Sequence, residues 1–280
     1  MTFFFKKILK QILPYGIVKS RERKLILKNQ CIHFTGKYSS WSAAIEASEG
    51  YDAQNIIDKV KNATLQVIAG EAAYERDSYL FYKPDYHWPF LTSLLYVATQ
   101  NKRKLNILDF GGALGSSYWQ NKKILKENEV QCTWHIVEQE AFIKASRTLP
   151  HAEPLFFHHT LEEALATSDF HLIIFSSVLQ YLADGVNLLK RTSDIPWLLI
   201  DRTPEFSDVS QDRIMIQSVS PEICASSYPI HIFPKNYWKN NCGPGKIIFE
   251  WTPATDGIYY TSKNERIQYT GFLLRRPYHE

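Results

Sequence analysis

Leu105–Phe110 (LNILDF) runs straight into Gly111–Gly115 (GGALG) and then into Ser116 and Ser117. An apolar run of this length that ends in glycines reads as a buried strand turning into a helix. The same pattern recurs downstream. Cys132–Val137 (CTWHIV), Leu155–Phe157, Phe170–Phe175 (FHLIIF) and Trp197–Ile200 (WLLI) are short apolar runs. Stretches of helical periodicity such as Ser116–Lys126 and Glu140–Thr148 separate them. Nearly continuous apolar strands alternating with helices predict βαβ units and a parallel sheet buried on both faces. The fold class expected is therefore α/β, with a doubly wound, mostly parallel sheet.

Working outward, the last part of the chain changes character. Lys246–Trp251 (KIIFEW) and Gln268–Arg275 (QYTGFLLR) read as strands joined by a turn-rich loop with room for a short strand. An antiparallel pair closing one edge of the sheet is expected there. Arg202–Lys239 holds Pro204, Pro221, Pro229 and Pro234, and reads as a covering insertion at about 202–239. Residues 25–104 read as mostly helical, with helices at Ser42–Ser48, Ala53–Ala69 and Trp88–Thr99. The expected organisation is a mostly helical N-terminal extension over residues 1–104 and one α/β domain over 105–280.

Composition narrows the function classes. The 280 residues are 45% hydrophobic and 22% charged, a globular balance that excludes a disordered or collagen-like chain. Lys plus Arg number 32 against 29 Asp plus Glu, a net charge of +3 that argues against a dedicated nucleic-acid binder. Cys31, Cys132, Cys224 and Cys242 show no C-x-x-C spacing, so reduced thiols in a cytoplasmic protein are expected. No apolar run is long enough to cross a membrane. Within Met1–Lys24, apolar residues over 3–13 recur at helical spacing with Lys6, Lys7 and Lys10 between them. The order of charge and apolar residues is wrong for an export signal. Two readings stay open: a helix docked on its own domain, and a basic amphipathic helix in peripheral contact with an anionic membrane face.

The glycine turn is the first candidate site. Glycines between strand and helix let a ligand approach the backbone, and the helix beginning near Ser116 aims its free N–H groups at the same place. No Gly-Lys-Ser/Thr follows, so the turn is not a Walker A loop, and the dinucleotide G-x-G-x-x-G spacing is not met. Asp109, Gly111, Ala113 and Gly115 fit D-x-G-x-A-x-G instead. Glu138, at the end of the next strand, can accept both hydroxyls of a ribose, or simply open a helix as a surface acid. Gln139 follows it. Ser176 and Ser177 close the strand Phe170–Phe175, where doubly wound folds bind ligands, although Ser177 also suits an N-cap. His158 and His159 lack partners for a metal.

The spacing from Asp109 to Gly115 resembles the first motif of the S-adenosylmethionine-dependent methyltransferases with a Rossmann-like fold. The resemblance implies S-adenosylmethionine as cofactor. It places Asp109 toward the methionine ammonium, Gly111, Gly112, Ala113 and Gly115 as the loop beneath, and Glu138 at the ribose. Ala113 stands where that family most often has glycine. Other stretches, quoted in order, are Tyr38–Ala44, Gly50-Tyr51, Tyr74–Ser78, Tyr86–Phe90, Leu199–Pro204 and Ser227–Phe233. Together they resemble a family of methyltransferases from bacterial surface-polysaccharide gene clusters. That resemblance implies a hydroxyl or amine of a small polysaccharide-pathway intermediate as acceptor.

The acceptor is expected above the ends of the fourth and fifth strands. Asp201 is the first candidate for a general base or for orienting the acceptor, against a role capping the Asp-Arg-Thr-Pro turn. Arg202 can clamp a phosphate or carboxylate of the acceptor, or pair with Asp201. His231 is a further candidate base, because histidine is a frequent one, or is the polar position of a strand. His87 and Trp88 are expected to line the pocket, and Arg76 and Asp77 to form an internal ion pair. A non-catalytic binding module keeping the same fold is the alternative to an enzyme. A dinucleotide-dependent sugar-modifying enzyme is a third reading, disfavoured by the glycine spacing.

Overall fold

A computed structural model describes residues 32–48, 53–150, 154–219, 226–253 and 257–277. The N-terminal basic stretch, Cys31 and Cys224 lie outside the described residues. In chain order the strands are β1 (Ile32–Tyr38), β2 (Tyr74–Arg76), β3 (Tyr79–Phe81), β4 (Lys104–Phe110), β5 (Gln131–Val137), β6 (Leu155–His158), β7 (Leu172–Ser176), β8 (Trp197–Phe206), β9 (Arg213–Val219), β10 (Ser226–Pro234), β11 (Lys246–Trp251), β12 (Ile258–Tyr260) and β13 (Arg266–Arg275). The helices are α1 (Trp41–Glu46), α2 (Ala53–Ile68), α3 (Trp88–Gln100), α4 (Ser116–Glu127), α5 (Glu140–Ser146), α6 (Leu161–Leu165), α7 (Gly185–Arg191) and α8 (Tyr237–Asn241).

The chain divides into two compact units, each assembled from three segments. The larger comprises residues 51–205, 236–256 and 269–280, the smaller residues 1–50, 206–235 and 257–268. These divisions differ from those read from the sequence. Helices α2 and α3 belong with the sheet rather than to a separate extension, and the helices themselves fall where periodicity predicts them.

In the larger unit the strand order is β8-β7-β4-β5-β6, and every neighbouring pair is parallel. The chain winds from β4 outward through β5 to β6, then returns to place β7 on the other side of β4. The β4/β7 boundary is therefore the topological switch point, where the carboxyl ends of two adjacent strands leave a crevice. Strands β11 and β13 add the antiparallel edge, and β13 also pairs with β8. The fold is thus α/β with a mostly parallel, doubly wound sheet and an antiparallel C-terminal edge pair.

Why these residues form a sheet is visible in their burial. Leu172, Ile173, Ile174 and Phe175 are all buried, as are Ile107, Leu108, Trp134, Ile136, Leu198 and Leu199. A strand covered by helices on both faces needs apolar side chains at successive positions, not at alternate ones. Each such Leu or Ile contributes about 1.5–3 kcal/mol when removed from water. Phe90, Leu94 and Val97 supply the apolar stripe that α3 lays into the same core, at helical spacing.

The smaller unit is antiparallel. Strand β9 pairs with β1 on one side and β10 on the other, and β12 pairs with the start of β13. Phe34 and Tyr259 meet edge to face at 5.7 Å within it. Two expectations are corrected here. Residues 32–38, read as part of a helical segment, form a strand. The proline-bearing segment 202–239, read as a covering connection, forms the end of β8, all of β9 and β10, and the start of α8. Pro229 sits within β10 opposite Ile216.

Candidate functional site

The first group of candidate residues lies at the carboxyl end of β4, beside the switch point. Asp109 is the penultimate residue of β4, and the loop after it turns back through residues of positive φ: Gly111 (76°), Ala113 (49°) and Gly115 (90°). At Gly111 and Gly115 that left-handed backbone is free of the usual side-chain clash, while Ala113 adopts it at a cost. Gly112 is required for a different reason. A Cβ there would lie 2.7 Å from Asp109 Oδ2, so the backbone passes directly against the carboxylate. The Gly111 N–H donates to the Val137 carbonyl at 3.0 Å, which ties the loop to the end of β5.

Glu138 follows that strand end. Its Oε1 accepts the Ala113 N–H at 3.1 Å and its Oε2 accepts the Gln139 N–H at 2.8 Å. One carboxylate thereby fixes the glycine loop, and a carboxylate has acceptor sites beyond these two. Burial pushes its pKa up, with the two amides pulling the other way. Gln139 contributes its backbone at the N-cap of α5, and its side chain is exposed. The α4 N-terminus opens at Gly115 with no side-chain cap, leaving first-turn N–H groups unsatisfied.

Asp109 is the electrostatic centre of this half of the site. It is 2% exposed, and among the described residues its hydrogen-bond donor is the indole N–H of Trp134, at 3.0 Å from Oδ2. Burial raises its pKa from the ordinary 3.8 to about 7, the Glu138 charge adds to that, and Trp134 and the more distant Arg202 only partly offset it. A carboxylate buried this deeply with one neutral donor has its charged form disfavoured.

The second half of the site lies at the ends of β7 and β8. Asp201 pairs in register with Ser176. The strand does not stop at Ile200, as the sequence suggested, but continues through Asp201 to Phe206, with Arg202 held at φ 48°. Asp201 is 2% exposed and surrounded by donors. Its Oδ1 lies 3.0 Å from His87 Nε2 and 2.8 Å from Trp251 Nε1. Its Oδ2 accepts from Ser176 Oγ at 3.3 Å, and Arg202 Nε is 3.8 Å away. Burial alone would raise the Asp201 pKa, but the His87 hydrogen bond and charge, Arg202 and Trp251 together hold it below the ordinary carboxylate range. A carboxylate so held is an anchor for its neighbours and a weak proton acceptor.

A cleft joins these residues to others of the same unit. It is lined by Glu75, Arg76, His87, Phe90, Ser116, Ser117, Gln120, Ser176, Asp201 and Arg202. Glu75 is buried, accepts the Ser116 hydroxyl and the Ser78 N–H, and has its pKa raised chiefly by that burial. Gln120 donates to the Asp85 carbonyl at 2.6 Å and so fixes the segment leading to His87.

The sequence candidates are thus distributed as follows. Asp109, Gly111, Gly112, Ala113, Gly115, Glu138 and the Gln139 backbone come together at the β4/β5 end. Ser176, Asp201 and Arg202 come together at the β7/β8 end. The Ser177 N–H donates to the Asp201 carbonyl at 2.9 Å and its Oγ receives Gln180, so it serves the turn after β7 and not a regular helix cap. His231 belongs to the smaller unit, where its Nε2 lies 2.7 Å from Asp212. Arg76, expected to pair with Asp77, lines the cleft instead, while Asp77 and Ser78 form a left-handed turn. His158 stacks on His135 with nitrogens 2.9 Å apart, and burial drives His135 down to about 4. His159 pairs with Glu140. From sequence Ser116 was read only as a helix start and Glu75 only as part of Tyr74–Ser78, Gln120 was not singled out, and no local spacing marks their side chains. Among the described residues no cluster of His, Cys, Asp and Glu could hold a metal ion, and no helix is long and apolar enough to cross a membrane.

No protein-family model and no curated protein matches the chain. Solved structures with a similar arrangement include the N-terminal domain of EvdMO1, solved in the presence of SAH and D-fucose. It is 13% identical, with a TM-score of 0.45, over 81% of this chain and 98% of that one. The 1,6-didemethyltoxoflavin-N1-methyltransferase of Burkholderia thailandensis is 12% identical, with a TM-score of 0.39, over 66% of this chain and 76% of that one. The glycopeptide N-methyltransferase MtfA, complexed with sinefungin, is 10% identical, with a TM-score of 0.41, over 67% of this chain and 86% of that one. Likeness at this level assigns neither a family nor an activity.

Proposed function

We propose that the chain binds S-adenosylmethionine in the crevice at the β4/β7 switch point and transfers its methyl group to a small acceptor in the adjoining cleft. The observation that carries this reading is Asp109: a carboxylate 2% exposed, raised to about 7, and pressed against a glycine whose side chain would collide with it. The ammonium of an amino-acid ligand supplies the missing positive charge. The glycine loop gives such a ligand direct access to backbone, since residues 111–113 are only half-buried. Glu138, tied to that loop, keeps acceptor capacity for the hydroxyls of a ribose.

When bound, the cofactor supplies an activated methyl group on a sulfonium. The chain's own residues would orient what accepts it. Arg76 and Arg202 offer positive charge to an anionic acceptor, and Glu75, Gln120 and Ser116 offer polar contacts in the same cleft. A surface-polysaccharide precursor is the acceptor class we favour, supported by the resemblance carried by Tyr38–Ala44, Tyr86–Phe90 and Leu199–Pro204. Calorimetric titration of the full chain with S-adenosylhomocysteine tests the cofactor. Saturable binding that Asp109→Ala weakens at least ten-fold is expected. A folded protein that binds none of it refutes the proposal.

A further inference from the structure

We propose that His87 takes the proton of an acceptor hydroxyl bound in the cleft, and that Asp201 is the positioning residue that leaves His87 able to do so. The inference rests on the reading of the crevice as a methyl-donor site. It makes the reaction an O-methylation.

The argument begins with the tautomer. Asp201 is ionised and can only accept hydrogen bonds. His87 Nε2, 3.0 Å from Asp201 Oδ1, must therefore carry a hydrogen. In the neutral ring the lone pair is then on Nδ1. Among the described residues Nδ1 has no hydrogen-bond partner, and the ring lines the cleft. The ring is also fixed in orientation. Trp251 meets it edge-on at 6.1 Å while donating to the same carboxylate oxygen, and Phe90 lies against it at 6.4 Å. Ser176 occupies the other oxygen of Asp201. An imidazole held by a buried carboxylate, with its second nitrogen open to a cleft, is the geometry of a general base and its orienting partner. Asp201 cannot serve as that base, because both its oxygens are engaged and its pKa is held down.

The chemistry balances. The hydroxyl oxygen bonds to the methyl carbon, the carbon–sulfur electron pair stays with sulfur, and the hydroxyl proton goes to Nδ1. The positive charge lost by the sulfonium reappears on the imidazolium, beside Asp201. A hydroxyl needs this help because it is a poor nucleophile while it keeps its proton, whereas a neutral amine attacks with its own lone pair. The other charged groups lining the cleft are Glu75, Arg76 and Arg202.

The test uses full-length protein with 15N-labelled histidine. Long-range proton–nitrogen NMR should find neutral His87 as the Nε2–H tautomer, with the lone pair on Nδ1. In Asp201→Ala nothing accepts from Nε2, so the ring loses its fixed tautomer and Nδ1–H should appear beside Nε2–H. Carbethoxylation of wild-type His87 by diethyl pyrocarbonate at pH 7 should fall on Nδ1, and in the variant it should spread to Nε2. A His87 that merely links two elements would show neither response. Calorimetry with S-adenosylhomocysteine runs alongside on wild type and His87→Gln, and the affinities should agree within two-fold. An Nδ1–H tautomer in the wild type, or a ring that does not react, overturns the base while cofactor binding stands. Loss of binding in the wild type overturns the methyl-donor reading instead. The wild-type spectrum needs no variant, so a misfolded Asp201→Ala does not remove the test.

Discussion

If Asp109 awaits a cation, S-adenosylhomocysteine should bind more tightly as the pH rises through 7. The free carboxyl titrates at about 7, because burial with a single indole donor disfavours its charge. A bound ammonium favours the ionised form and lowers that pKa, so the ligand selects ionised Asp109. At pH 6 about one molecule in eleven of free protein is in that form, and at pH 7.5 about three in four. The apparent Kd should therefore fall about eight-fold over this interval, about 1.3 kcal/mol, while the ligand's own ammonium stays charged. Calorimetry in buffers of different ionisation heat should also record release of about half a proton per site at pH 7. Glu138, also raised by burial, acts on Asp109 through its charge. The Asp109→Asn variant separates the two, because only the Asp109 contribution vanishes with it. A wild-type Kd that is flat from pH 6 to 7.5, or a slope that survives in Asp109→Asn, refutes the reasoning.

Stability should move in the opposite sense to binding. The folded pKa of Asp109 lies above the unfolded 3.8, so the native state holds the proton more tightly and loses stability as pH rises from about 4 to 7. The full interval corresponds to about 4 kcal/mol, and ligand-free Asp109→Asn should melt at least about 4 °C above wild type at pH 8, read by thermal scanning. Gly112→Ala brings a methyl to 2.7 Å from Asp109 Oδ2 and should abolish measurable S-adenosylhomocysteine binding while the circular dichroism spectrum stays native; unchanged affinity would show that the loop can yield. Glu138→Ala frees the Ala113 and Gln139 amides and should weaken the same ligand by about ten-fold or more in calorimetry. Arg276→Met should lower stability by about 2–4 kcal/mol in urea unfolding, because the buried guanidinium caps the carbonyls of Leu189 in the last turn of α7 and of Thr192 and Ile195 beyond it.

The parallel sheet was legible because its signal is local. LNILDF, CTWHIV and FHLIIF carry apolar residues at adjacent as well as alternate positions, which suits a strand covered on both sides, and the glycines mark where the first of them turns. Strands β9 and β10 were hidden by Pro221 and Pro229, which weigh against a strand in any window, although Pro229 is accommodated in β10. Strand β1 was hidden by Gly36 and Lys37, which break its alternation. At the candidate site, Asp109 and the glycine loop were legible because the strand end and the turn after it are contiguous in sequence. The His87–Asp201 bond could not, since its partners are 114 residues apart and neither carries a spacing motif. Glu75 was invisible for the same reason: its burial is created by Ser116 and the elements around it, 41 residues on.

The segmented composition of the larger unit also bears on how the chain acquires its structure. Strand β8 lies beside β13, so the far edge of the sheet cannot be covered until residues past 269 have been made. The Arg276 clamp on the end of α7 closes a loop of more than eighty residues. Contacts this distant in sequence are slow to form. A nascent chain released before β13 would leave one side of β8 without its partner, an exposed edge open to pairing with other chains. Synthesis rate and chaperone supply should therefore govern the yield of active protein more strongly than a sheet completed from one continuous segment would require.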